Sequence, residues 1–261
     1  MSVEAAVVVA LLLAVFVGFS LGLLGGGGSI LTVPILTYVV GMGAKEAIAS
    51  SLFIVGATSA FSVLSHARAG RVRWRTGAIF GAAGMVGAFI GGLIGGFVPG
   101  TVLMVLFAGM MLATAAAMIR GRAGHSATTG EQRTRRVSRI MVDGFLVGLA
   151  TGLVGAGGGF LIVPALNLLG GLPIAVAVGT SLLVIVMKSF AGLAGYLFTV
   201  SIQWPLVLGF TGVAIAGSFI GSRFAGRIPE TALRKGFGYF VLVMGAVVLV
   251  QELPRAIGLL T

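Results

Sequence analysis

Residues 22–36 read GLLGGGGSILTVPIL, and residues 152–166 read GLVGAGGGFLIVPAL. Nine of these fifteen positions are identical, and the two segments lie 130 residues apart (152 − 22 = 130). Each segment is a run of glycines followed by a short apolar stretch that contains proline. Because a repeat at a fixed offset indicates duplicated structural units, these glycine motifs divide the chain into two related halves.

The repeat continues in the same register outside the two motifs. At the offset of 130, identical residues recur at Ser51 and Ser181, Ser59 and Ser189, Trp74 and Trp204, and Pro99 and Pro229. A polar stretch rich in Gly, Thr and Arg separates the halves. We therefore predict a first transmembrane repeat over residues 1–120, a basic cytoplasmic linker over 121–139 and a second transmembrane repeat over 140–261.

The composition indicates a membrane protein. Of the 261 residues, 58% are hydrophobic and only 9% are charged, whereas about 25% are charged in a typical soluble domain. The mean hydropathy is +1.15. The chain has no cysteine and only two histidines, which argues against disulfides, thiolate metal sites and multi-histidine metal cages. The net charge of +11 fits basic loops beside a membrane better than nucleic-acid binding.

Each half contains five apolar stretches, which predicts an all-α polytopic membrane protein of about ten segments. A helix needs about 20 residues to cross the hydrocarbon core, and the stretches at 29–42, 140–154 and 159–171 are shorter. The first two segments of each half are therefore either true spans or re-entrant hairpins with a glycine tip. The sequence leaves both arrangements open.

Positive charge predicts the topology. Fourteen of the seventeen Lys and Arg residues lie in three loops, around residues 68–75, 120–139 and 223–235. Five segments per half place all three loops on one side, which the positive-inside rule makes cytoplasmic. Both termini are then outside the plasma membrane. Because five is odd, the two halves are inverted, and inverted repeats with broken segments are typical of secondary transporters.

The glycine motifs are candidate anion-binding tips. Glycine lets a ligand approach the backbone closely, and a helix that starts there presents free N–H groups and a partial positive charge. The alternative is close helix packing, for which glycine is common in membranes. The candidate glycines are Gly25, Gly26, Gly27, Gly28, Gly155, Gly157, Gly158 and Gly159.

Lys188 is the most informative single residue. It lies deep within the apolar stretch 174–199, and its counterpart in the first half is Thr58. A cation at such depth costs about 2.5–3.5 kcal/mol on insertion scales, and its half has no acid at similar depth. We expect an anionic substrate as its counter-ion, with proton coupling as a further expectation. The alternative is a side chain that extends to a water-filled gap.

Small polar side chains complete the predicted site. The candidates are Ser29, Ser51, Asn167, Thr180 and Ser181. Their alternative role is hydrogen bonding to their own helix. Asp143 is expected to be the only acid inside an apolar segment and to pair with Arg139. His66 is expected at the membrane interface, and Trp74 and Trp204 are expected as interfacial anchors.

With its paired GLLGGGGSILTVPIL and GLVGAGGGFLIVPAL motifs, duplicated halves and basic central loop, the chain resembles the sulfite exporter TauE/SafE family of membrane permeases. The resemblance implies export of small sulfur-containing anions, such as sulfite, sulfoacetate or other organosulfonates, across a bacterial inner membrane. The first motif has Gly26 where the second has Ala156, so the two tips are expected to differ.

Other functions find less support in the sequence. The motif GLLGGGGS lacks the Lys-Ser/Thr ending of a P-loop. The sequence also shows no catalytic nucleophile paired with a general base, as an enzyme of this kind would need. A channel, or a permease for another small ion or a metal, is the remaining alternative. The expected partners are the small anion, the lipid bilayer and a second copy of the chain in a homo-oligomer. No cofactor and no nucleic acid are expected.

Overall fold

The computed structural model describes residues 3–24, 28–120, 137–155, 159–164, 166, 172–224 and 230–258. All regular structure within these ranges is helical. The helices are α1 (Val3–Leu24), α2 (Ser29–Pro34), a π-helix (Ile35–Val39), α3 (Ala44–Arg68), α4 (Trp74–Phe97), α5 (Gly100–Ile119), α6 (Val137–Val154), α7 (Gly159–Pro164), α8 (Ile174–Tyr196), α9 (Trp204–Phe224) and α10 (Glu230–Ile257).

Five of the described helices contain segments long and apolar enough to cross a membrane. These are Ala44–Arg68, Trp74–Phe97, Val176–Tyr196, Trp204–Phe224 and Gly238–Ala256. Shorter apolar helices cover Val8–Leu23, Ser29–Val39, Gly100–Ala116 and Met141–Val154. The prediction of an all-α polytopic membrane protein is confirmed in this form, while the count of ten segments stays a prediction.

Proline sets the shape of the short segment after the first glycine motif. Because Pro34 has no N–H to donate, the α-helical ladder of α2 changes there into the π-helix. The amide of Val40 donates to the Ile35 carbonyl (3.2 Å), which closes the π-helix. Gly41 then adopts φ +83° and turns the chain towards α3.

The helices pack in pairs that join the two halves of the chain. Helix α1 packs against α9, and α6 packs against α4. Helices α3 and α8 pack together, and α5 pairs with α10. Among the five long helices, α3 is the most buried and α10 the least, so α3 and α8 form the centre of the molecule and α10 lies towards its edge.

Glycine allows several of these helices to approach backbone to backbone. On α1, Gly18 faces Ala214 and Gly22 faces Ser218 of α9; on α6, Gly148 faces Gly84 and Gly152 faces Ala88 of α4. At each of these four glycines, a Cβ would lie closer than 3.0 Å to backbone atoms of the partner helix. Since dispersion and backbone contacts drive helix association in lipid, these glycines bring the two pairs together.

The paired tryptophans begin corresponding helices. Trp74 starts α4 and Trp204 starts α9, and both side chains are exposed. Such positions suit aromatic anchors at a membrane surface, and that role stays a prediction. Trp204 also makes an edge-to-face contact with Phe53 of α3, with ring centroids 5.2 Å apart.

Candidate functional site

Lys188 lies in the middle of α8 and is 2% exposed. Its Nζ donates a hydrogen bond to Oγ1 of Thr151 on α6, at 2.7 Å. The Thr151 hydroxyl donates its own proton to the Val147 carbonyl at 2.7 Å. Thr151 is therefore fixed as an acceptor for the Lys188 amino group, and this acceptor carries no charge.

No carboxylate neutralises Lys188 within the described residues, whose only ion pair joins Arg255 to Glu252. An ammonium group has three N–H donors, and one of them is used by Thr151. The desolvation cost of a buried ion is several kcal/mol unless a charged partner offsets it. The surroundings of Lys188 therefore suit an anion.

The region around Lys188 is shared between both halves of the chain. One turn further along α8, Gly192 lies beside Leu52 of α3, Ala88 of α4 and Gly152 of α6. Gly56 of α3 faces Ser189, the residue that follows Lys188 on α8. Lys188 thus belongs to the place where α3 and α4 of the first half meet α6 and α8 of the second.

Buried hydroxyl groups without partners lie on the same central helices. Ser50, Thr58 and Ser59 on α3 and Ser189 on α8 are fully buried. Their side-chain oxygens have no hydrogen-bond partner among the described residues. A buried, unsatisfied polar group costs about 1–3 kcal/mol, so such groups point to a ligand or water that would pair with them. Ser62 of α3 differs, because it donates to the Thr58 carbonyl at 3.0 Å.

The second glycine motif begins at the end of α6. Gly155 adopts φ +73°, a left-handed conformation that favours glycine. The Ser51 hydroxyl lies 2.5 Å from the Gly155 carbonyl oxygen and 2.8 Å from that of Ile48. Ser51 has one proton to share between these acceptors, so it holds the glycine motif against α3. Its predicted contact with substrate stays a prediction.

The other predicted residues are spread along the same elements. Thr180 accepts a hydrogen bond from the Arg73 amide at 3.0 Å, and Ser181 donates to the Val178 carbonyl at 2.7 Å. Gly28 caps α2, Ser29 is buried at its first residue, and Gly159 begins α7. Gly25, Gly26, Gly27, Gly157, Gly158 and Asn167 lie outside the described residues.

Thr151 was not predicted from the sequence. It lies one turn before Gly155, and its carbonyl accepts a hydrogen bond from the Gly155 amide at 2.9 Å, which closes the end of α6. The available signal was a threonine within an apolar stretch, where the first half has Leu21. That signal is weak, because most such hydroxyls bond only to their own helix.

Two ionisable residues differ from expectation. The prediction that Asp143 is the only acid in an apolar segment is wrong, because the apolar part of α10 extends past Glu252, which is buried. Glu252 Oε1 accepts hydrogen bonds from the Tyr38 hydroxyl at 3.1 Å and from Arg255 at 3.0 Å. The side chain of Arg139 is outside the described residues, so its pairing with Asp143 stays a prediction.

His66 lies at the end of α3 as expected, but it is only 4% exposed. Its ring is therefore buried among helices rather than placed against lipid headgroups. No three His, Asp or Glu side chains lie together in a possible metal-binding group within the described part of the chain.

An all-helical chain with several helices able to cross a membrane, and with buried polar groups between them, has the construction of a multi-pass membrane transporter. The model of the sulfite exporter TauE/SafE family matches residues 10–248. The chain belongs to this family, which confirms the resemblance seen in the glycine motifs.

The curated relatives that the chain resembles are also described as membrane transporters. A probable membrane transporter protein of Xylella fastidiosa is 36% identical over 239 residues, which cover 89% of this chain and 91% of that protein. A probable membrane transporter protein of Methanocaldococcus jannaschii is 29% identical over 78% of this chain and 79% of its own length. YdhB of Bacillus subtilis, with the same description, is 25% identical over 89% and 96%. No solved structure matches the chain significantly.

Proposed function

We propose that this protein is a secondary transporter that exports small sulfur-containing anions, such as sulfite, sulfoacetate or another organosulfonate, across the bacterial inner membrane. The observation that carries this proposal is the buried side-chain amino group of Lys188, whose hydrogen-bond partner is the neutral hydroxyl of Thr151. A bound anion supplies the missing negative charge. Binding and charge compensation then become the same event.

The chemistry of a sulfite or sulfonate group suits this region. Such a group carries several acceptor oxygens on one small centre. Lys188 has two N–H donors that Thr151 does not use, and the hydroxyls of Thr58, Ser59 and Ser189 are buried and unpaired. Hydrogen bonds from charged donors are about twice as strong as those between neutral groups, which makes Lys188 the principal contact and the hydroxyls auxiliary ones.

We further propose that the halves are inverted five-segment repeats, and the packing of the helices supports this. The pairing of α1 with α9 corresponds, after a shift of 130 residues, to the pairing of α6 with α4. Individual contacts correspond as well. The contact of Gly18 with Ala214 corresponds to that of Gly148 with Gly84. The contacts of Gly217 with Val15 and of Gly221 with Phe19 correspond to those of Gly87 with Phe145 and of Gly91 with Leu149. A site between such halves suits alternating access.

The proposed topology keeps the Arg-rich loops cytoplasmic and both termini outside, and long-range contacts agree with it. The Arg73 amide, in the first basic loop, bonds to Thr180 near the start of α8. Lys45, near the start of α3, donates to the Gly96 carbonyl near the end of α4 at 2.7 Å. Each contact joins positions that the topology places on one side of the membrane, cytoplasmic in the first case and outer in the second.

Ligand-dependent stabilisation tests the function. Thermal unfolding of the purified protein is measured with sulfite, sulfoacetate, taurine, sulfate, thiosulfate, acetate and divalent cations, since a ligand of the native state raises its apparent stability. We expect a shift with sulfite or a sulfonate that Lys188→Ala abolishes. Lys45→Ala, which removes a lysine that bonds to a backbone carbonyl, is the matched control and keeps the shift.

The other outcomes separate the alternatives. Stabilisation by divalent cations alone contradicts the anion proposal and favours a metal permease. An anion shift that survives Lys188→Ala moves the site away from α8. In proteoliposomes, sulfite efflux that saturates with concentration supports a carrier, whereas efflux that rises without saturation favours a channel.

A further inference from the structure

His66 occupies a buried position between helices of both halves. Its side chain lies in the last turn of α3, beside the backbone of Gly22 near the end of α1. From α8, the backbone of Gly179 approaches its Cβ, since a Cβ at Gly179 would lie 3.2 Å away. Neither ring nitrogen has a hydrogen-bond partner of ordinary length among the described residues.

The counterpart of His66 in the second half is Tyr196, because 196 − 66 = 130. The Tyr196 hydroxyl donates to the Leu153 carbonyl at 2.5 Å, next to the end of α6. Leu153 corresponds to Leu23, the neighbour of Gly22. In each half, a polar ring thus lies beside the end of the first helix.

The two rings differ in one respect that matters near neutral pH. Histidine changes its charge between about pH 5 and 8, whereas tyrosine ordinarily titrates near pH 10. Under the proposed topology, His66 lies on the cytoplasmic side and Tyr196 on the outer side. The cytoplasmic end of α1 therefore has a titratable ring beside it, and the outer end of α6 has a permanently neutral ring.

We propose that His66 is a proton-binding site beside the cytoplasmic end of α1, and that its protonation opens the contact between α1, α3 and α8 towards the cytoplasm. This inference rests on the proposed transport function and topology. It adds a dependence on cytoplasmic pH to the transport of the anion.

The direction of the effect follows from comparing two energies. An imidazolium ring at the end of α1 gains a small amount from the helix dipole and from the backbone of Gly22. Burying an ion without a charged partner costs more than such interactions return. Because the cost of burial exceeds the gain from the dipole, the protonated ring favours an arrangement in which it reaches water.

The charges around His66 act in the same direction. Arg71, in the loop after α3, acts electrostatically on the ring. The other charged residues on the surrounding elements are Arg68 of α3, Arg73 in the same loop as Arg71, Arg223 at the end of α9, Lys188 further along α8, Lys45 and Glu46 at the far end of α3, and Glu4 at the far end of α1. The nearer charges are all cations, which disfavours a buried imidazolium further.

The absence of cysteine from the chain permits a labelling test without background. Ser62→Cys places a thiol one turn from His66 at a position that is 2% exposed, and Ala69→Cys places one in the exposed loop beyond α3. A membrane-impermeant thiol reagent is supplied on the cytoplasmic side, and the labelling rate of each variant is measured. The readout is the labelling rate of Ser62→Cys divided by that of Ala69→Cys. The ratio cancels the effect of pH on the thiols.

We expect the ratio to rise several-fold as the cytoplasmic pH is lowered from about 8 to about 5, the range over which histidine ordinarily gains its proton. The variant His66→Tyr, which copies the residue of the other half, removes this dependence. His66→Gln is the second non-titrating variant if the tyrosine does not fit. External pH has no effect in any of these proteins.

A ratio that does not change with pH, or a pH dependence that persists in both variants, overturns the proposal. Tyr196→His supplies a converse test: labelling of Leu193→Cys, a buried position one turn from Tyr196, measured relative to Thr199→Cys in the exposed loop, becomes sensitive to external pH. Labelling needs no substrate, so its outcome is separate from the sulfite stabilisation test. A pH-dependent ratio without any anion shift preserves the role of His66 and rejects the proposed substrate.

Discussion

Lys188 and Thr151 meet through one hydrogen bond of 2.7 Å, and this bond leaves two N–H groups of the ammonium for another partner. At the residue scale, this contact explains how a lysine is tolerated deep in an apolar helix. Thr151 satisfies part of the hydrogen-bonding need of Lys188 and fixes its direction, while the charge itself is left for a ligand. The sequence predicted the lysine but not the threonine that positions it.

Thr151→Val tests this positioning role. Loss of the acceptor leaves a buried donor unsatisfied, which we expect to cost about 1–3 kcal/mol of stability and to weaken the sulfite-induced shift in thermal unfolding. Thr151→Ser keeps the hydroxyl and restores both. Thr114→Val is the matched control, since Thr114 bonds only to the Met110 carbonyl of its own helix. Equal effects of the two valine variants would contradict the role of Thr151.

Glu252 shows a second residue-scale feature that composition did not reveal. A buried carboxylate accepts hydrogen bonds from Tyr38, at the end of the first half's short helical segment, and from Arg255. The segment after the first glycine motif is thereby tied to α10, which otherwise lies at the edge of the molecule. The apolar stretch that predicts the last segment spans residues 232–251, so the helix continuing to Ile257 was not foreseen.

Tyr38→Phe tests whether this tie stabilises the fold. Removing a hydrogen bond to a charged group is expected to cost about 1.5–3 kcal/mol, seen as a lower unfolding temperature without a change in ligand-induced shift. Tyr239→Phe, at an exposed position of α10, is the control and should have little effect. A stability of Tyr38→Phe equal to that of the control would exclude a stabilising role.

At the scale of helices, glycine decides which pairs pack backbone to backbone. Gly148 and Gly152 bring α6 against α4, and Gly18 and Gly22 bring α1 against α9. The anion-binding interpretation of the motif glycines stays a prediction. The glycines inside the helices serve close packing, whereas Gly155 supplies a left-handed turn at the end of α6.

Gly152→Ala tests the packing role. Its Cβ would enter the backbone of Ala88, so α6 and α4 must separate, and we expect overpacking to cost about 1–3 kcal/mol. Gly109→Ala is the matched control, because a Cβ there meets nothing within 4 Å and alanine favours a helix over glycine by about 1 kcal/mol. Unfolding temperatures that fall for Gly152→Ala and not for Gly109→Ala support the argument; the reverse order contradicts it.

At the scale of the whole molecule, the packing joins the halves rather than separating them. Each half contributes its first helix to a pair with the other half, and α3 and α8 meet at the centre. The region around Lys188 is consequently built from both halves. The alternating access that we propose requires a movement of one half against the other to change access to that region.

The inverted topology predicts opposite exposure of corresponding loops. In intact cells, a membrane-impermeant thiol reagent added outside should label Ser201→Cys and not Ala69→Cys, both of which are at exposed positions. After permeabilisation, both should react. Labelling of Ala69→Cys in intact cells, or of neither residue until permeabilisation, would contradict the inverted topology, which places Ser201 outside and Ala69 inside.

Local chemistry was sufficient for the class of the protein, because apolarity and length determine which segments become membrane helices. The duplicated glycine motifs and the depth of Lys188 were likewise visible in the chain itself. The partners of individual polar groups depended on tertiary structure: Thr151 is 37 residues from Lys188, and Tyr38 is 214 residues from Glu252. Hydrogen bonds are short and directional, so such partners follow only from the way the helices pack.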